Sequence, residues 1–252
     1  MDNKNIYLSH EESSTPKLSI ILPCYNESEG IIQILDRFKL KGSEKNYELI
    51  LVDNGSTDDT SRIIADNIDS YPFARYVKVI RNIGYGHGII TGLGEAAGEY
   101  LSWSHADLQT DPSDVFRAYR VLLEQSNPQK TIVKGIRRGR NIVDQIITRA
   151  MSIVAYFLLG KWVSEINAQP KVFHRSLLEH CKNPPNDFNL DTYFIFKAIG
   201  SGWDIVGIDV DFPPRIYGAS KWASSWKSKL MHIIASIRFL ASLGKVEGND
   251  SK

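Results

Sequence analysis

The sequence is poor in the features that assign a chain quickly. It has only two cysteines, Cys24 and Cys181, far apart and without metal-ligand spacing. That argues against a disulfide scaffold and suggests a reducing compartment. Its 30 Lys and Arg are balanced by 29 Asp and Glu, so no global charge directs it to nucleic acid, and any basic patch is local. No run reaches the roughly 18 uninterrupted apolar residues of a membrane-spanning helix. The nearest, IVDQIITRAMSIVAYFLLG, contains Asp144, Gln145 and Arg149, and is compatible with lying on a membrane rather than crossing it. The opening MDNKNIYLSHEESSTP is polar and lacks the apolar centre of a signal peptide; it reads as a mobile tail. Internal repeats and low-complexity stretches are absent.

What is present is the composition of a globular protein, 42% hydrophobic and 23% charged over 252 residues, enough for one large α/β domain or two small ones. Short β-rich runs alternate with helical patterns. LSIILPC precedes a helix predicted from a Ser28 cap to a Gly42 stop. YELILVDN precedes STDDTSRIIADNI, where Ser56 and Asp59 have capping-box spacing. ARYVKVIRN precedes a glycine-rich third helix, and YLSWSHAD precedes DPSDVFRAYRVLLEQ, with Pro112 suited to a first helical turn. This alternation predicts a mostly parallel sheet covered on both faces. Ligands of such sheets bind beyond the carboxyl ends of the strands. Tyr25, Asn26, Asp53, Asn54, Asn82, Asp107 and Gln109 all fall at those ends. The second half is less regular. It offers a strand and basic loop over 131–140, a long amphipathic helix over roughly 141–160, and a late strand DIVGIDVDF. A final helical face carries Trp222, Trp226, Leu230, Ile233, Ile237 and Leu240.

The segment SWSHADLQTD holds the most chemistry. Asp107 and Gln109 alternate along an extended loop, so both can reach one ion, and hard oxygen ligands suit Mg²⁺ or Mn²⁺ bridging a diphosphate. The plain alternative is a solvated loop whose Asp111 caps the helix begun by Pro112. Lys134, Arg137, Arg138 and Arg140 form a basic run of a kind usually solvated.

Together these residues resemble the family-2 inverting glycosyltransferases of GT-A fold, closest to the dolichol- or polyprenyl-phosphate sugar transferases. ILPCYNESEGI, LVDNGSTDDT, NIGYGHGIITGLGEAAGEYL, HADLQTDP and RIYGASKW carry the resemblance, in family order, from about Leu18 to Trp222. It implies a hexosyltransferase-type enzyme dependent on a divalent metal, Mg²⁺ or Mn²⁺, and acting in cell-envelope polysaccharide or glycolipid synthesis. The donor would be a nucleoside diphosphate sugar and the acceptor a polyprenyl or dolichyl phosphate. Nucleotide-sugar contacts are implied for Pro23, Tyr25, Asn26, Glu27, Asp53, Asn54, Asn82, Gly86, His105 and Ala106. Acceptor contacts are implied for Arg137, Arg149, Arg215, Ser220 and Lys221, since Arg suits bidentate phosphate binding. The metal would lie at Asp107, Gln109 and His105, and Asp107, Asp191 and Arg215 would serve catalysis.

Three departures stand out. Asn54 replaces a usual aspartate, NAQPKVF replaces a stretch often glycine-aromatic, and His105 stands where the family has the first acid of its pair. His105 admits three readings: a metal ligand, a nucleotide or outer-shell contact, which is the one favoured, and a structural residue in a weakened site. Imidazole in place of carboxylate removes a negative charge, favours Mn²⁺-like ions and adds a group that titrates in water at about 6.5. A phosphate acceptor is already anionic and needs positioning more than a base, whereas a hydroxyl acceptor needs a carboxylate base. Asp191 and Glu165 are candidates for that base; both could equally be capping or salt-bridge residues, the reading favoured for Glu165. A non-catalytic nucleotide-sugar-binding subunit, transfer to a saccharide hydroxyl, and a nucleotidyltransferase remain alternatives.

The expected organisation is a tail over 1–16, a transferase domain over 17–221, and an amphipathic helix and tail over 222–252. Residues 215–246 contain six Lys or Arg and no acid. This suits a helix at a membrane interface or one packed on the domain with a basic outer face. The expected location is cytoplasmic, with peripheral association with a membrane surface or a membrane-protein partner, and no nucleic-acid partner.

Overall fold

The computed structural model describes residues 15–42, 46–139 and 162–213, together with Gln145, Thr148, Arg149, Ser152, Ile153, Tyr156, Phe157, Ile234, Ala235, Arg238, Phe239 and Ser242. Residues 1–14 of the tail expected over 1–16, most of the 141–160 helix, and the C-terminal helical face with Arg215, Ser220 and Lys221 lie outside the described residues.

Seven strands form one sheet. They are β1 (Leu18–Cys24), β2 (Tyr47–Asn54), β3 (Ala74–Val79), β4 (Tyr100–Trp103), β5 (Thr131–Arg138), β6 (Lys171–His174) and β7 (Asp204–Asp211), in the spatial order β3-β2-β1-β4-β6-β5-β7. Helices α1 (Ile31–Lys41), α2 (Thr60–Asn67), α3 (Tyr85–Glu95), α4 (Pro112–Leu123) and α5 (Leu190–Gly200) connect and cover them. The mixed α/β expectation holds. β1 to β4 pair in parallel, and so do β5 and β7, while β6 runs antiparallel to β4 and β5.

Strand period and helix period meet in two apolar layers. Leu18, Ile20 and Leu22 point to one face of β1, where Ile34, Leu35 and Phe38 of α1 and Val115, Phe116 and Leu122 of α4 join them. Ile21 points to the other, with Val52, Leu101 and Trp103, against Ile89 and Leu93 of α3 and Phe194 and Ile195 of α5. Each such side chain contributes about 1.5–3 kcal/mol on burial. Burial on both faces is why the strands read as continuous apolar runs rather than alternating ones.

Several element ends differ from expectation. α1 begins at Ile31 rather than after Ser28; Gly30 sits at its N-cap and the Ser28 N–H donates to Asp58 Oδ2 at 3.3 Å. Asp59, not Ser56, caps α2 by position, and Ser56 Oγ instead accepts from the Asn26 N–H at 3.0 Å. β4 ends at Trp103, four residues before Asp107, because the chain turns into the site loop. α4 begins at Pro112 as expected, with Asp111 Oδ1 accepting from the Ser113 N–H at 2.8 Å. β6 and α5 were not anticipated.

The chain runs outward from β1 through β2 to β3, then returns to place β4 on the opposite side of β1. That reversal opens a crevice at the carboxyl ends of β1 and β4, the position where such sheets bind ligands.

Candidate active site

Three loops meet at this crevice. The loop after β1 is clasped to the loop after β2. Asn26, in the left-handed region with φ 56, accepts on Oδ1 from the Thr57 N–H at 2.8 Å and donates through Nδ2 to Thr57 Oγ1 at 3.2 Å. The Glu27 N–H donates to Thr60 Oγ1 at 2.9 Å, and the Glu27 carbonyl accepts from the Gly30 and Ile31 N–H groups, both at 3.0 Å. Asp53 is 0% exposed. Its Oδ1 accepts from the Ser56 N–H at 2.8 Å and its Oδ2 from Ser61 Oγ at 2.5 Å. Asp53 therefore builds the loop from beneath rather than presenting a bare carboxylate. Asn54 donates to the Gly84 carbonyl at 2.8 Å, and its Oδ1 is buried without a hydrogen-bond partner among the described residues. Asn82 accepts from the Gly84 N–H at 2.9 Å, so both asparagines shape the glycine-rich entry to α3. Pro23 lies within β1 opposite Val52, and Tyr25 follows the strand half-buried.

The third loop, 104–111, is the most constrained. Asp107 is 6% exposed, and its Oδ1 accepts from the Gln109 N–H at 3.1 Å. This turn puts Leu108 at φ 61, a conformation that costs a non-glycine residue about 1–2 kcal/mol. The turn is held from both sides. The Leu108 carbonyl accepts from Arg37 Nη1 at 3.4 Å, and Gln109 Nε2 donates to the Pro213 carbonyl at 2.8 Å. Ser104 and Thr110 hydroxyls meet at 3.0 Å across its base. Ala106 is buried and His105 half-buried, with the His105 ring 6.2 Å from that of Tyr85.

Among the described residues no group of three or more His, Cys, Asp or Glu is arranged to hold a metal ion. The donor set expected for the metal is one carboxylate, one amide and one imidazole, since Asp111 Oδ1 is taken by Ser113. The Pro213 carbonyl accepts only from a nitrogen, so it orients the Gln109 amide and leaves Oε1 as its cation-suited end. Such a set fits an ion that takes most of its oxygens from a diphosphate, and does not fit a closed protein cage.

Behind the loop lies a buried polar cluster that sequence reasoning missed as a unit. Asp191, 3% exposed, accepts on Oδ1 from Lys171 Nζ at 2.6 Å, Gln169 Nε2 at 2.9 Å and Trp103 Nε1 at 3.0 Å. Expected as a candidate base or a salt-bridge residue, this carboxylate is enclosed and paired with Lys171. Burial pulls the Lys171 ammonium down from its ordinary value despite that partner. Gln169 Nε2 also donates to Tyr85 Oη at 3.1 Å, and burial together with the Asp191 charge pushes the Tyr85 hydroxyl well up. Glu165 pairs with Arg137 at 2.6 Å, the second of the capping and salt-bridge roles favoured for it. Arg137, expected at the acceptor, is largely buried in that pair. Arg149 is exposed. Lys134 donates to the Gly135 and Ser164 carbonyls at 2.8 and 2.7 Å, and burial lowers it to about 7. The available signal for this cluster was a lysine at the head of the short run KVFH, too slight to interpret without the partner.

The chain is similar to known proteins in sequence and in fold. A family model described as glycosyl transferase family 2 matches residues 19–197. The undecaprenyl-phosphate 4-deoxy-4-formamido-L-arabinose transferase of Proteus mirabilis (strain HI4320) is 27% identical over 248 residues, 91% of this chain and 72% of that protein. Among solved structures, glucosyl-3-phosphoglycerate synthase from Mycobacterium tuberculosis in complex with uridine diphosphate superposes with a TM-score of 0.70 at 20% identity, covering 90% of this chain and 80% of that one. The mannosyltransferase PcManGT from Pyrobaculum calidifontis, in complex with GDP-Man and Mn²⁺, gives a TM-score of 0.61 at 23% identity, covering 81% and 59%. Both solved structures share the fold.

Proposed function

The chain belongs to glycosyl transferase family 2, and from that premise we propose that it is an inverting enzyme that moves a sugar from a nucleoside diphosphate to a polyprenyl phosphate. The observation that carries this reading is Asp107, nearly enclosed, at the crevice between β1 and β4 on a loop held by Arg37, Pro213 and its own turn. A preorganised carboxylate there is suited to the diphosphate end of a donor. Asp107, with the Gln109 amide and His105, would hold a divalent cation. When bound, that cation supplies Lewis-acid stabilisation of the leaving diphosphate.

The loops after β1 and β2, clasped through Asn26 and Thr57, form the nucleoside side. Tyr25, Glu27 and Asn54 are the donor contacts proposed there, with Asp53 shaping the loop. The acceptor approaches from the opposite side of the sugar, so the anomeric centre inverts. A phosphate with a second pKa of about 6 is anionic near neutrality and requires no base. The burial of Asp191 in an ion pair agrees with this. Similarity to an undecaprenyl-phosphate transferase supports the lipid phosphate as acceptor. Arg215, Ser220 and Lys221 remain the proposed phosphate contacts, and peripheral membrane binding through the C-terminal helix remains proposed with them. Among the described residues no helix is long and apolar enough to cross a membrane.

The test is incubation of the full chain with a panel of labelled UDP- and GDP-sugars, Mn²⁺ or Mg²⁺, and undecaprenyl phosphate. The expected product is an organic-extractable sugar phospholipid whose anomeric configuration is opposite to the donor's. Transfer only to a free saccharide, or binding without turnover across the panel, overturns the proposal.

A further inference from the structure

We infer that Phe188 is a sugar-contacting residue, a rigid aromatic plate against which the donor's sugar lays its C–H face. The inference rests on the donor assignment proposed above.

Phe188 precedes α5 and is 46% exposed. A half-exposed aromatic ring on a loop is unremarkable when the loop moves, but this loop is fixed. The Asn186 carbonyl accepts from the His87 N–H at 3.0 Å. Asp187 accepts on Oδ1 from the Asn189 N–H at 2.9 Å and on Oδ2 from Asn189 Nδ2 at 3.1 Å. The loop also presses on the start of α3 so closely that only glycine fits. A Cβ at Gly84, whose φ is +143, would lie 2.1 Å from the Asn186 carbonyl oxygen, and one at Gly86 would lie 2.5 Å from that of Pro185. Gly86, expected at the nucleotide sugar, thus earns its place by admitting this loop.

The ring is continuous with the candidate site. It stacks on Tyr85 with centroids 5.2 Å apart and planes 13° from parallel. Tyr85 in turn lies 6.2 Å from the His105 ring and is held through its hydroxyl by Gln169, which also donates to Asp191. The charge of Asp107 is near enough to contribute to the raised Tyr85 hydroxyl. A run of rings therefore leads from His105, two residues before Asp107 in the site loop, through Tyr85 to the exposed plate.

The surroundings match a sugar in particular. A pyranose or furanose presents polarised C–H bonds on one face and hydroxyls at its edge. The face of an aromatic ring carries negative quadrupole density that attracts the former, and planar amides and carboxylates bind the latter. Asn186 and Asp187 are exposed beside the ring. Because the ring is already fixed, contact costs little ordering entropy.

The experiment is calorimetry on the full chain with Mn²⁺, using the same UDP- and GDP-sugars and their free nucleoside diphosphates. Phe188→Ala is expected to weaken the nucleotide sugar five- to thirty-fold and the free nucleoside diphosphate less than two-fold. Phe188→Tyr should stay within two-fold of wild type for both, and Phe188→Leu, which keeps apolar cover over Tyr85 but loses the ring face, should behave like Phe188→Ala. Equal losses for sugar and nucleotide would reduce Phe188 to a structural cover and overturn the inference. So would full retention in Phe188→Leu, or an effect confined to the KM for undecaprenyl phosphate, which would make the plate a lipid contact. Absence of any nucleotide or nucleotide-sugar binding in the wild-type protein overturns the donor assignment itself, and is told apart by being seen before any substitution.

Discussion

Replacing Asp191 by Asn removes one charge from a site whose three donors remain. Lys171 and Asp191 side chains are 0% and 4% exposed, with Nζ and Oδ1 at 2.6 Å. Breaking a buried pair by removing one partner costs about 3–5 kcal/mol, because the other charge is left uncompensated. The lysine can limit that cost by releasing its proton. At pH 7.5 this amounts to about 4 kcal/mol from a usual value near 10.4, at 1.36 kcal/mol per unit. The two routes agree, and for a chain of this size the melting temperature should fall by about 6–20 °C. Asn still accepts from Trp103 or Gln169, so the double variant Asp191→Asn with Lys171→Met should recover about half the loss. The assay is scanning calorimetry beside the transfer assay run well below the new melting temperature, where the single variant should keep at least a tenth of wild-type turnover. A melting point within about 2 °C of wild type together with turnover reduced a hundred-fold or more would refute the reasoning and return Asp191 to the role of a base.

Asp107→Asn preserves the turn, since an amide oxygen can still accept from the Gln109 N–H, and should abolish the Mn²⁺ dependence of nucleoside diphosphate binding by calorimetry while shifting the melting temperature by no more than a few degrees. His105→Asp should improve the use of Mg²⁺ relative to Mn²⁺ at least several-fold, read as the ratio of transfer rates at saturating metal; an unchanged ratio makes His105 a bystander. Lys134 is lowered to about 7 in the fold, so between about pH 7 and 10 the unfolded chain binds more protons there and stability should rise with pH, by at most about 1.4 kcal/mol per unit from this group. Lys134→Met should flatten that rise in denaturant titrations at pH 7, 8.5 and 10, and an unchanged slope would show that Lys134 stays charged throughout. Gly84→Ala should cost about 2 kcal/mol or more, because the new Cβ meets the Asn186 carbonyl and the residue must hold φ +143; wild-type stability by chemical denaturation would contradict the clamped loop.

The sequence by itself determined the parallel half of the sheet, because burial on two faces demands apolar runs in β1, β2 and β4 and a helix between each pair. It also determined where the candidate site was to be sought. Tyr25, Asn26, Asp107 and Gln109 follow strand ends, and a strand end in such a sheet is a place in space, not only in the chain. Local patterns went wrong where a side chain found a distant partner: Ser56 Oγ accepts from the Asn26 N–H rather than capping its own helix, and the Asp58 carboxylate takes the Ser28 N–H. Only the tertiary structure showed which partners Asp191 has. A carboxylate in the first turn of a helix looks the same in sequence whether it faces a substrate or a lysine, and Lys171 is 20 residues away in the chain. β6 stayed hidden for a related reason. A four-residue strand whose first side chain is a buried lysine has no apolar period of its own. Its ammonium becomes tolerable in the interior only once Asp191 and the Ala168 carbonyl, at 2.6 and 3.1 Å, are folded against it.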